Sequence, residues 1–136
     1  MSEMMISLLI NGESLDPKDV TDAIQAPPTD QFKKGDPVGR IGGSHGLRHR
    51  HGQWCLTKTA CNSAEFNAAL REFLNLVPEN LTDMLASSSV SIDVFVGVFG
   101  VRDQTGIELP ADLLLELGRR GWSIIFDLYT SGAEDD

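Results

Sequence analysis

All three histidines of the chain, His45, His49 and His51, fall within seven residues of one glycine-rich stretch. Their spacing can present two imidazoles to a zinc ion. No Cys, Asp or Glu stands close enough in sequence to complete a tetrahedral set, and closing a glycine-rich loop on a metal costs backbone entropy. The plainer reading is a solvated loop that takes up zinc or nickel adventitiously. Lys33, Lys34, Arg48 and Arg50 border the same glycines and could frame a nest of backbone amides around a phosphate or carboxylate. The glycine spacing matches neither a P-loop nor a dinucleotide-binding fingerprint. The competing account is an exposed basic loop that balances an acidic shell, with Lys34-Gly35-Asp36-Pro37 forming a turn.

The remaining reactive side chains make no catalytic set. Cys55 would need a base that no spacing identifies, and next to Trp54 it reads as a small packed thiol. Asp93 and Asp127 alternate onto the polar sides of two strand-like segments, where they could approach as a carboxylate pair or simply face water. Trp54 and Trp122 read as core anchors first and as a stacking surface second. No cofactor is expected, and an enzyme is the class with the least support.

The elements that must position these residues belong to a chain of 136 residues, 41% apolar and 23% charged, which is the composition of one globular domain. Cys55 and Cys61 lack a metal-type or Cys-x-x-Cys spacing and fit two reduced thiols in a cytoplasmic protein. Met1-Ser2-Glu3-Met4-Met5 does not read as a secretory signal, and no apolar run is long enough to span a bilayer. Net charge is −9, yet Gln31 to Lys58 holds Lys33, Lys34, Arg40, Arg48, Arg50 and Lys58 against Asp36 alone. Such a shell favours basic partners and disfavours nucleic acid, which needs an extended basic footprint.

Ile6 to Ile10 predicts a first strand, and Asp16 with Pro17 opens a helix that ends near Ala26, before Pro27-Pro28. Residues 29–52 read as a long loop with one short strand near Val38 to Ile41. Gln53 to Thr59 alternates as a second strand. Ser63 is expected to cap the clearest helix, whose stripe is Phe66, Ala69, Leu70, Phe73, Leu74 and Val77. A short helix over Leu81, Met84 and Leu85 follows. Val90 to Val98 alternates with its valines inward, Pro110 opens a helix carrying Leu113, Leu114 and Leu117, and Trp122 to Tyr129 alternates again.

Ile6 to Leu56 and Ile92 to Leu128 share a plan: strand, glycine, a leucine-and-proline helix start, and a Gly-Trp or Gly-x-Trp strand. The fold class that follows is an α/β (α+β) two-layer sandwich. Two β-α-β halves are joined by a helix on a ferredoxin-like-related sheet of four to five strands. Residues 1–136 form a single domain: a first half over 5–58, linking helices over 63–89, a second half over 90–129, and an acidic tail over 130–136.

With these elements placed, the chain resembles family 4279 of the bacterial domains of unknown function over roughly Met5 to Tyr129. The resemblance rests on Leu15-Asp16-Pro17 with Val20-Thr21, Pro28 followed by Lys34-Gly35-Asp36, Trp54-Cys55-Leu56 after Gly52, and the closing Leu109-Pro110, Leu113, Leu117, Gly118 and Asp127-Leu128-Tyr129. It implies a stand-alone bacterial domain and brings no catalytic residues.

The expected function is a non-enzymatic binding protein that neutralises a basic protein partner, as immunity proteins do for nuclease toxins. The alternative is a small-anion or metal binder that uses residues 39–52. Neither a membrane nor a nucleic acid is an expected partner, and oligomeric state is left open.

Overall fold

Period-two alternation accounts for the strand that opens the chain. The computed structural model describes residues 3–39, 46–101 and 106–130, and in it β1 spans Glu3–Gly12. Met4, Ile6, Leu8 and Ile10 are buried on one face, while Glu3, Met5, Ser7, Leu9 and Asn11 occupy the other. The chain continues through α1 (Pro17–Ile24), β2 (Asp30–Phe32), β3 (Gly52–Ala60), α2 (Ser63–Leu76), α3 (Leu81–Met84), β4 (Ser91–Val101), α4 (Ala111–Arg120) and β5 (Ser123–Thr130).

The strands form one open, mixed five-stranded sheet in the order β2-β3-β1-β4-β5, with β2 antiparallel to β3 and β4 parallel to β5. The protein is a mixed α+β fold, as its pattern of strands and helices predicts. The order also explains the repeated plan in the sequence. The opening strands of the two halves, β1 and β4, are neighbours, and the closing strands β3 and β5 flank them.

The chain divides into two compact units, one of Met1–Leu8, Thr57–Val77 and Asp93–Asp136, the other of Leu9–Leu56 and Pro78–Ile92. In the first, α2 buries Phe66, Ala69, Leu70, Phe73 and Leu74 and packs with α4, which buries Leu113 and Leu117. Leu113 and Leu117 lie one helical turn apart on the buried face, and Leu114, which the same helix carries, is exposed. Arg120 fastens the two helices. Its Nη1 donates to the Val77 carbonyl at the end of α2 (2.8 Å), its Nε donates to Glu116 (3.1 Å), and its guanidinium lies 5.6 Å from the centroid of the buried Trp122. Hydrogen bonds from Arg119 and then Arg120 hold the Glu116 carboxyl below the usual carboxylate range.

The cap of α2 is Asn62 and not Ser63: Asn62 Oδ1 accepts from the Glu65 amide at 2.9 Å, and Glu65 reaches back to the Cys61 amide. Either residue type can cap a helix, and Ser63 is engaged elsewhere. Its hydroxyl accepts from the Glu108 amide and donates to the Gly106 carbonyl.

In the second unit, Asp16 caps α1 by accepting from the Lys18 amide, with Pro17 at the first helical position. The indole of Trp54, fully buried on β3, donates to the Thr21 hydroxyl of α1 at 3.0 Å. A Cβ on Gly52 would overlap the Leu15 carbonyl, so glycine is what lets β3 start against the entry to α1. The predicted loop over 29–52 contains β2, earlier than the short strand expected near Val38. A three-residue strand without clear alternation gives periodicity too little to register.

Beyond β2 the chain turns into a hairpin arm: Pro37 bridges Arg48, the Gly35 amide donates to the His49 carbonyl, and the His49 amide donates to the Asp36 carbonyl. Val38 belongs to this arm, donating to Leu47, while Arg40, Ile41 and His45 lie outside the described residues. The β2 edge is guarded: it is three residues long and runs straight into Lys33, Lys34, Gly35 and Pro37.

Candidate functional site

Of the cations singled out in the sequence, Lys33 and Arg50 line different clefts. Lys33 faces Asp16 at 3.9 Å, and the two line a cleft of about 320 Å³ with Pro17, Lys18, Phe32 and Asp36. Its two lysines are matched by its two carboxylates, so the cleft has no net positive charge to draw an anion. Arg48 donates to the Gly35 carbonyl across the hairpin at 3.3 Å, Lys34 is exposed, and Arg50 lines a different cleft with Asn11, Glu13, His51 and Ser91.

The imidazoles are used for packing. His49 stacks on Phe32 with centroids 3.5 Å apart and 11° between the planes, and His51 meets the edge of the same ring at 5.5 Å. Phe32 thus takes up both rings. Among the described residues no group of three or more His, Cys, Asp or Glu is arranged to hold a metal. His45 lies outside those residues. Cys55 and Cys61 are not joined in a disulfide. No helix of the described residues is long and apolar enough to cross a membrane.

A different surface concentrates chemistry, and it belongs to the first unit. The inward face of β4 carries the buried Ile92, Val94, Val96 and Val98, which leaves Asp93, Phe95, Gly97 and Phe99 on the other face. The β4-β5 register sets Phe95 beside Ile125 and Gly97 beside Asp127. Asp93 is in register with Ser123, four residues from Asp127 along the strand. Their positions are therefore offset by about 13 Å along the strands, too far for the two carboxylates to share a proton.

Phe99 and Tyr129 stack face to face, with centroids 4.7 Å apart and planes 5° from parallel. Gly97 leaves room for this pair: a Cβ there would stand 3.1 Å from the Phe99 ring and 3.7 Å from Tyr129. The Tyr129 hydroxyl donates to Asp127 Oδ2, and that bond, with some desolvation, raises the phenol above its usual range. Neither Asp93 nor Asp127 has a cation partner among the described residues.

This face continues onto the edge of the sheet. Within the described strands β5 is outermost, and it exposes large apolar side chains on both faces: Ile125 (47%) and Tyr129 (43%) on one, Phe126 (41%) and Leu128 (61%) on the other. Phe126 points to the helix side, 6.1 Å from the ring of Phe66. Sequence reasoning placed Asp93, Phe95, Asp127 and Tyr129 on the outward faces of their strands. It missed their joint surface because that depends on which strands are neighbours. The available signal was an alternating strand whose polar side nonetheless carried Ile125 and Tyr129.

A family model described as a domain of unknown function (DUF4279) matches residues 2–131. No curated protein and no solved structure matches the chain.

Proposed function

The chain belongs to the DUF4279 family, and from that premise we propose that it is a non-enzymatic binding protein whose partner is a basic protein. The observation that carries this reading is the face where Asp93 and Asp127, with no cation partner among the described residues, stand with Phe95, Phe99 and Tyr129. Lysine and arginine side chains are received by such a surface twice, by the carboxylates and by the faces of the rings. A net charge of −9 steers a basic protein toward it. Covering a positive active site in this way is how immunity proteins act on nuclease toxins, and two cysteines outside any disulfide fit the cytoplasm as the place of action.

The test is capture of partners by the tagged protein in its native host at low and high salt, beside a variant carrying Asp93→Asn and Asp127→Asn. A stoichiometric basic protein should be held by the native chain at low salt, and lost both at high salt and from the variant. Retention by the variant, or no basic partner at all, would remove the proposal. A small anion or metal held by residues 39–52 has less support, given the pairing of Lys33 with Asp16 and the packing of His49 and His51 on Phe32.

A further inference from the structure

The two edges of the sheet are built differently. The β2 edge is short and flanked by lysines, glycine and proline, which is how sheets deter pairing. The β5 edge runs for eight residues, Ser123–Thr130, without proline, glycine or lysine, and shows exposed apolar side chains on both faces. An edge of that length and composition accepts another strand through the backbone groups that no described strand pairs.

The geometry points to β5 as the receptor for one extended, basic segment of a partner protein, added to the sheet as a sixth strand; this rests on the basic-partner reading above and gives it a mode of binding. The side-chain chemistry of the incoming strand follows from its alternation. On one face its neighbours are Ile125, Asp127 and Tyr129, which suit lysine or arginine: among the described residues the carboxylate has no cation, and Tyr129, stacked on Phe99, is still 43% exposed. On the other face its neighbours are Phe126 and Leu128, which suit valine, isoleucine or leucine. The recognised segment therefore alternates basic and apolar residues.

A second copy of this chain fits the edge less well. Two copies of charge −9 repel, and the cations at the end of α4 that precede β5, Arg119 and Arg120, are already held by Glu116. Pairing β5 with its own copy about Asp127 would also set two carboxylates opposite each other.

The test uses synthetic octapeptides and amide NMR spectra of the whole chain. A peptide alternating lysine and valine should shift the amides of residues 123–130, and a glutamate-valine peptide should not. Two further lysine-valine peptides carry N-methyl groups on alternate residues, one methylated on the lysines and the other on the valines. A bound strand turns only one set of N–H groups toward β5, so one methylated peptide should lose at least tenfold in affinity while the other binds as before. Equal binding of both would overturn strand addition and leave the basic-partner reading standing. Failure of the lysine-valine peptide to bind, or equal binding of the glutamate peptide, would also overturn the inference. Sedimentation that shows a dimer, with residues 123–130 protected from exchange, would assign the edge to a second copy instead. The basic-partner reading stands or falls separately, on capture from the host.

Discussion

Thr21 is the acceptor for the indole N–H of Trp54, at 3.0 Å, and this bond ties the only polar atom of a fully buried tryptophan side chain to the first helix. Deleting the acceptor while keeping the shape leaves that donor stranded in the core. Thr21→Val should cost about 1–2 kcal/mol in urea denaturation, within the usual penalty for an unsatisfied buried donor. Thr21→Ser, which keeps the oxygen, should recover most of it.

Gly52 is held to glycine by backbone, a less forgiving neighbour than a side chain. Since an added Cβ would overlap the Leu15 carbonyl, Gly52→Ala must push β3 away from the start of α1. The expected loss is about 1–3 kcal/mol, the usual range for overpacking. A measured midpoint equal to that of the native protein would refute the close approach.

Acid should loosen the α2-α4 clamp. The Glu116 carboxyl is held below its usual range by Arg119 and Arg120, so its stabilising contribution is complete above the unfolded-state value near 4.5 and is lost as pH falls through the lowered folded value. Glu116→Gln should therefore be less stable than the native chain at pH 7, and the difference should shrink below pH 4. Denaturation midpoints across that range provide the check.

At the alkaline end the sign reverses. Tyr129 donates to Asp127, so the neutral phenol is favoured in the fold. Its contribution is present below the ordinary value of 10 and disappears as pH rises through the raised folded value. Tyrosinate absorbance of the single tyrosine should thus appear above pH 10, and Asp127→Ala should move its onset back toward 10.

Much of this fold was legible because its signals are local. Asp16-Pro17 before Val20, the Phe66 to Val77 stripe and the alternating valines of β4 each state their structure within a few residues, and the mixed α+β class follows from their order. Neighbourhood across the sheet was not legible. The separation of Asp93 from Asp127 and the ring pair above Gly97 depend on the β4-β5 register, which no single segment encodes. The packing of His49 and His51 was hidden for the same reason: their spacing in sequence suggested convergence on an ion, and their contact with Phe32 comes from a residue more than fifteen positions away in the chain.

The guarded β2 edge also governs how far any assembly can go. Open-ended stacking of sheets needs two receptive borders on each molecule, so that every arrival exposes a fresh one. Here the border beyond β3 carries only the three residues of β2, followed by lysines and proline that disfavour pairing. The long apolar strand β5 thus has no receptive border of equal length in β2 to meet on a second copy, which works against end-to-end growth into a fibre.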